Sequence, residues 1–456
     1  MKIKIKYTAL LLTLATALQF SCNKLVEIPA SKDQIESTLV FADSTIATTA
    51  LLGTYYTMGT VHSNIKFISL YTDEYVSTSA TTVNIEYANS KVLSTNTNNA
   101  SLWANLYSVI YQCNSILEGI EASGNLSPLA KKQLAGEARF LRAFAYFYLI
   151  NLYDYIPLIL STNVDSNKNA VQVNPTQIYA QMISDLNQSK LNLKTAYQGA
   201  GHVRANSLCA EALLARISLF QKNWQAAADE SAKVISSGTY NTKDVKPEDV
   251  FLAGSNESIL QLWMINGFLS DATQFIPASA TTTPVYTVRD KLYQTFENAD
   301  LRKSKWIGLN TVSGAGQTTI YPFPAKYKAR VANTAKPEFA MALRLAEQYL
   351  IRAEALARLN QVPAAVDDLN IIRSRAGLSP LDKTISQEAC LLEISVQRRI
   401  ELFGEWGSRF LDLKRTGQLD ETIGSLKPGW KPTAKAFPIP QNEIIYNPKL
   451  IQNDGY

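Results

Sequence analysis

Ala215-Arg-Ile-Ser-Leu-Phe-Gln-Lys-Asn-Trp-Gln-Ala-Ala227 and Ala353-Glu-Ala-Leu-Ala-Arg-Leu-Asn-Gln-Val-Pro-Ala-Ala365 repeat one local pattern. Each segment ends a helix, turns tightly through a stretch holding an asparagine, and opens a second helix on alanines. Alanine at the crossing lets two antiparallel helices approach closely, which is how tetratricopeptide-type hairpins stack. The two copies lie about 138 residues apart. The stretch between them is largely irregular, so the pattern predicts a helical-repeat scaffold that carries a non-repeat lobe.

Three- and four-residue apolar steps place further helices on either side of these segments. The first covers Glu36 to Met58, and a stronger one covers Ala100 to Ile120 through Trp103, Tyr107, Ile110, Tyr111, Asn114 and Leu117. Ser127-Pro128 reads as an N-cap with proline at the first helical position, opening a helix that stops before Pro157. Others cover Pro175 to Thr195, Ala205 to Lys222, Trp224 to Ser237, Phe339 to Leu359, Pro363 to Gly377 and Ser386 to Phe403. Gly59 to Thr97 reads as loops and small strands, and the proline-, Thr- and Ser-rich stretch 240–338 as a variable insert of loops and short strands. The fold class expected is mainly α: tetratricopeptide-like repeats at about 36–58, 100–238 and 339–415, the insert at 240–338, and a turn-rich end at 416–456.

The N-terminus points to export. Three lysines alternate through Lys6, Tyr7 to Phe20 carries no charge, and Ser21-Cys22 follows. That is a basic, apolar and small-residue succession, with the apolar run too short to span a bilayer comfortably. Leu18-Gln19-Phe20-Ser21-Cys22 resembles a bacterial lipobox, in which the thiol is acylated and the peptide is cut just before it. Residues 1–21 are then a signal peptide and 22–35 a lipidated tether. Several acyl chains on Cys22 would hold the protein to a membrane, where a single chain binds only marginally. The alternative is a plain secretory signal that happens to end near a cysteine.

Composition limits the function classes. Hydrophobic residues make up 46% and charged residues 18%, which excludes wholesale disorder. The formal charge of +5 falls by three to +2 once Lys2, Lys4 and Lys6 are removed, and no dense basic block remains, so nucleic acid has little electrostatic reason to bind. Tyr, at 22, outnumbers Phe at 16 and Trp at 6, a balance that suits rings with one wet edge. Cys113, Cys209 and Cys390 sit in apolar helical stretches, as small buried hydrophobes do.

Several ordered blocks then carry a resemblance. Glu137-Ala-Arg139-Phe-Leu-Arg142 with Leu152-Tyr153 and Ile156-Pro157-Leu158 is one, and Glu257-Ser-Ile-Leu260 another. Arg344-Leu-Ala-Glu347 through Arg352-Ala-Glu354, then Leu369-Asn370 to Arg373-Ser-Arg375-Ala-Gly377, form the last repeat. The most specific are Arg398-Arg399-Ile-Glu401-Leu-Phe-Gly-Glu405-Trp406-Gly407-Ser-Arg409-Phe-Leu-Asp412-Leu-Lys-Arg415 and Pro438-Ile-Pro440-Gln-Asn442-Glu443 through to Tyr456. Together they resemble the SusD/RagB family of outer-membrane nutrient-binding lipoproteins. The resemblance implies a surface receptor that captures a glycan or other nutrient and passes it to a SusC-like TonB-dependent transporter, without catalysis and without a cofactor.

Read physically, the charges between 398 and 415 alternate with Leu, Phe and Trp at helical spacing, which predicts structural ion pairs and helix caps. The histidines, His62 and His202, lie far apart, and no zinc spacing, phosphate loop, dinucleotide fingerprint or nucleophile elbow occurs, so neither catalytic nor metal-ligating residues are assigned. A sugar offers apolar C–H faces and hydroxyl edges, which aromatic rings with polar neighbours suit. In SusD-like proteins the ligand face lies mainly outside the repeats. The candidates are therefore Tyr71, Asp73 and Tyr75 in the first irregular segment, and Trp263, Phe268, Tyr286, Trp306 and Tyr321 in the insert. Rival readings are a lipid-anchored helical-repeat protein that binds a protein or peptide, and a lipid-anchored hydrolase.

Overall fold

The computed structural model describes residues 37–264, 269–314, 316–331 and 335–456. The signal peptide, Cys22, the tether and Phe268 lie outside the described residues.

The long helices are α1 (Ser44–Ile65), α2 (Thr97–Ala122), α3 (Pro128–Tyr153), α4 (Pro175–Asn192), α5 (Ser207–Phe220), α6 (Trp224–Ser236), α7 (Leu345–Arg358), α8 (Val362–Arg375), α9 (Gln387–Leu402) and α10 (Ser408–Thr416). Seven of these starts are set by side chains that accept otherwise orphaned backbone N–H groups. Asp43, Asn96, Ser127, Asn174, Asn206, Asn223 and Ser386 each do so, and Pro128 and Pro175 occupy the first turn of their helices.

Each long helix from α1 to α8 packs on the next, so the scaffold is a row of antiparallel hairpins. The row continues unbroken from α6 to α7 although 108 residues separate them in sequence. The repeat alanines are why those helices lie close. Ala215, Ala227 and Ala228 pack with Ile351 and Ala355 at the meeting of α5, α6 and α7, while Ala353, Ala357 and Ala365 help fill a second small core with α8 and α9. Cys113, Cys209 and Cys390 are buried, unbridged thiols.

Among the described residues, the irregular lobe contains three antiparallel strand pairs. β1 (Tyr75–Ser77) pairs with β3 (Tyr286–Val288), with Tyr75 opposite Val288. β2 (Ser258–Leu262) pairs with β6 (Ala340–Arg344), and β4 (Ile307–Gly314) forms a hairpin with β5 (Gln317–Pro324). The insert is thus stitched to the first irregular segment at one end and feeds directly into α7 at the other.

Three boundaries differ clearly from the sequence reading. The helix expected from Glu36 is broken after Val40 and starts again at Ser44, where Asp43 caps it. The helix expected from Phe339 begins at Leu345, because Ala340–Arg344 is a fully buried strand, and a continuous apolar run has no period to separate strand from helix. The helix expected to end at Met58 runs on to Ile65, burying Val61, His62 and Ile65, and the following segment holds two short helices, Ile68–Tyr71 and Thr82–Ala88, besides β1. Among the described residues, no helix is long and apolar enough to cross a membrane.

Candidate functional site

The surface of the lobe is where a presented aromatic ring is found. Trp263 follows β2 directly and is 49% exposed, whereas its neighbours Leu262 and Met264 are 0% and 9% exposed. Leu262 is held by pairing with Ala340. Met264 lies so close to α1 that a Cβ at Gly59 would sit 3.3 Å from its Cγ. A ring fixed between two buried anchors loses little further freedom when a ligand stacks on it.

The same face of α1 carries the clamp that holds the lobe beside Trp263. Asp271, on the short helix Leu269–Phe275, accepts hydrogen bonds from Lys66 and, at 2.9 Å, from Ser63; His62 lies 3.6 Å away. Burial alone would raise the Asp271 carboxyl, but the contact with His62 and the charge of Lys66 outweigh it and hold the group well below the ordinary carboxylate range. This clamp was missed in the sequence. Its one signal was Lys66, which directly follows a 22-residue helix containing no Asp, Glu, Lys or Arg.

The structure brings Tyr75 and Tyr286 together on one buried ring, Phe275, and buries Tyr71, Asp73 and Trp306 as well. Tyr71 is fully buried, donates its hydroxyl to the Ala434 carbonyl at 2.7 Å, and packs its ring against Phe410, Phe437 and Trp430. Tyr75 and Tyr286 are buried against Phe275, with the Tyr286 hydroxyl shared between Asn84 and Gln274. Trp306 is fully buried, its indole N–H donated to the Pro247 carbonyl at 2.7 Å and its ring faced by Lys326 and Arg375. Asp73 is buried and consumed by arginines: Arg409 approaches through Nε at 2.8 Å and Nη2 at 3.0 Å, and Arg399 through Nη2 at 2.8 Å. Burial raises that carboxyl, but the hydrogen bonds and charges of both arginines prevail and keep it below its ordinary value. These five residues pack the interior, so a ligand at the surface has no face of theirs to touch.

Tyr321 is half-buried and stands opposite Asn310 in the β4–β5 hairpin. Directly paired residues share a face. Asn310 uses that face to donate its amide to the Ser279 and Thr282 carbonyls at 2.7 and 2.8 Å, so Tyr321 edges the lobe where the hairpin meets that turn.

The charged block at 398–415 belongs to the interior as well. Arg344 donates to Glu257, Glu401 and Glu405; Arg375 bridges Glu257 and Glu401; Arg302 joins Glu401 to Asp300. Three arginines and three glutamates, all nearly or wholly buried, so tie the lobe to α8, α9 and the turn after α9. Farther along, Arg398 and Arg415 share Asp412, and Arg415 also takes Glu354 with both terminal nitrogens at 2.7 Å. Such pairs fix packing, since each charge is costly to bury alone. Among the described residues, no group of three or more His, Cys, Asp or Glu is placed to hold a metal ion.

A family model described as the SusD family matches residues 310–456, and one described as starch-binding, associating with outer membrane, matches residues 27–219. The SusD-like protein P25 of Formosa agariphila is 24% identical over 413 residues, which is 77% of this chain and 78% of that protein. The crystal structure of a SusD superfamily protein from Bacteroides vulgatus matches with a TM-score of 0.81 at 20% identity, covering 91% of this chain and 100% of the other. A laminarin-binding SusD-like protein matches with a TM-score of 0.76 at 24% identity, covering 90% and 99%.

Proposed function

The chain belongs to the SusD/RagB family, and from that premise we propose that it is an outer-membrane lipoprotein, tethered through Cys22, that binds glycan at the cell surface. It hands the glycan on unaltered to a SusC-like TonB-dependent transporter. The observation that carries the binding step is Trp263, a half-exposed indole locked between buried neighbours on a lobe outside the repeats. A flat apolar face of an indole suits the C–H face of a sugar ring better than it suits a charged ligand. Tyr321 at the lobe edge is the second ring assigned to the ligand. The laminarin-binding relative supports a glycan as the ligand class.

The test is affinity electrophoresis of the full chain in detergent through gels containing laminarin, starch or xylan, with Trp263→Ala alongside. Retardation by at least one polysaccharide that is weakened about tenfold or more in the variant supports the reading. Unretarded migration in every glycan gel, combined with capture of a peptide ligand, would replace it by the protein-binding alternative. Radiolabelled palmitate entering the wild type and not Cys22→Ser checks the anchor, and co-purification of a large barrel protein from native membranes checks the transporter.

A further inference from the structure

A second presented ring lies away from the lobe, at the end of α3. The backbone leaves that helix through Asp154, at φ 63° and ψ −65°, and the Tyr155 N–H returns to the Tyr153 carbonyl at 2.8 Å. This is a γ-turn of the rare positive-φ kind, strained for any residue with a Cβ. Lys414 braces it, donating to the Asn151 carbonyl at 2.9 Å and to Asp154 Oδ1 at 2.5 Å. The turn leaves Tyr155 53% exposed at the rim of a cleft of about 500 Å³, within the range of small-ligand sites.

The walls of that cleft are fixed by the chain's C-terminal segment. Gln172 exchanges hydrogen bonds with the Ile451 backbone in both directions, at 2.8 and 3.0 Å. The Asn453 amide reaches the Tyr153 and Phe437 carbonyls at 2.9 and 2.7 Å. Thr433, Lys435 and Asp454 are among the other residues that line it. Its lysine is already matched, Lys435 by Asp420, as Lys414 is by Asp154, and Asp454 adds a further carboxylate. With no surplus positive charge, the cleft suits hydroxyl-rich neutral rings, whose vicinal hydroxyls donate to carboxylates, and it disfavours acidic sugars.

We propose that the cleft beside Tyr155 is a second saccharide site, distinct in its elements from the Trp263 lobe, that takes neutral sugar rings stacked on the tyrosine. This rests on the glycan-receptor reading above. Two sites on one chain would raise retention on a polysaccharide above what either gives alone.

The experiment is calorimetric titration of the full chain in detergent with laminarihexaose, cellohexaose, maltohexaose and trigalacturonate, using wild type, Trp263→Ala, Tyr155→Ala and Tyr155→Trp. At least one neutral hexasaccharide is expected to bind at two sites in wild type and to keep one in each alanine variant. Tyr155→Trp keeps both, trigalacturonate does not compete at the Tyr155 site, and the melting midpoint of Tyr155→Ala stays at the wild-type value. Unchanged affinity and stoichiometry in Tyr155→Ala, with binding lost entirely in Trp263→Ala, overturns the second site and leaves the receptor reading standing. Equal competition by trigalacturonate overturns the neutral-ring assignment. Absence of any oligosaccharide binding to wild type defeats the receptor reading and this site with it.

Discussion

Lys222 and Asn360 occupy the same step of the two sequence repeats, and both sit in the left-handed region, at φ 57° and 61°. Each donates its N–H to the carbonyl three residues back, Leu219 and Ala357, at 3.1 Å in both. The next residue, Asn223 or Gln361, reaches back five, to Ser218 and Leu356, at 2.9 and 2.8 Å. The hairpins are thus closed by one helix-stop motif used twice. Asparagine tolerates this conformation better than lysine, whose Cβ is crowded there. Both side chains are exposed, so backbone preference decides. Lys222→Asn is expected to stabilise the protein by about 0.5 kcal/mol and Asn360→Lys to destabilise it by a similar amount. Urea denaturation of the two swaps checks the pair, and equal signs would show that the turns are not equivalent.

Asp73 depends on two arginines, and Arg409 supplies two of its three arginine hydrogen bonds. Arg409→Ala leaves a buried carboxylate to Arg399 alone. The expected cost is about 3 kcal/mol or more, seen as a lower denaturation midpoint or poor yield. Melting at the wild-type temperature would contradict the structural assignment of the charged block.

Trp263 and Trp306 were equal candidates in the sequence, and burial now separates them. Trp306→Ala is expected to cost about 3–5 kcal/mol, because it empties a packed site and removes the ring beside Lys326 and Arg375. Trp263→Ala is expected to change stability by less than about 0.5 kcal/mol and to act on glycan retention instead. Calorimetric melting of both variants, set beside their electrophoretic retardation, separates the two roles.

Glu74 is pushed up to about 7 by burial, with Asp73 adding to the rise and Arg409 and Lys326 opposing it. Its folded-state value lies above the ordinary one, so between about pH 4.5 and 7 the native state holds a proton that the unfolded chain has released. Stability from this group is therefore lost as pH rises through that window, by about 3 kcal/mol in all. Glu74→Gln keeps the neutral shape and removes the titration. The variant's advantage over wild type is expected to be near zero at pH 4.5 and largest at pH 8, measured by urea denaturation at both; an advantage that shrinks with pH has the wrong sign.

The scaffold was legible because helices announce themselves locally. Alanine crossings, Ser127-Pro128 and the paired repeat turns all act within a few residues of where they are read. The lobe was less so. Ala340–Arg344 is a strand only because Ser258–Leu262, some 80 residues earlier, lies beside it. Tyr71, Tyr75, Tyr286 and Trp306 looked like ligand rings because irregular segments usually face water, whereas these segments fold inward over the repeats and bury them. Asp73 could not be distinguished from a binding carboxylate, since its partners lie 326 and 336 residues away. Trp263 and Tyr155 differ from the buried rings in neighbours, not in composition.

Gly404 is held to glycine by its contact with Tyr75. Gly404 adopts φ +70°, and a Cβ there would stand 2.1 Å from the Tyr75 hydroxyl oxygen. Two separate penalties therefore oppose Gly404→Ala: about 1 kcal/mol for the left-handed backbone, and a clash that must push a buried tyrosine from its place beside Phe275. Together they are expected to cost about 2–4 kcal/mol. Tyr75→Phe removes the oxygen that the new methyl would strike, so the double variant should recover the clash portion while the backbone portion remains. A double-mutant cycle by urea denaturation reads the coupling directly, with about 1–2 kcal/mol of recovery expected. Strict additivity would mean that Tyr75 is not what requires glycine at this turn.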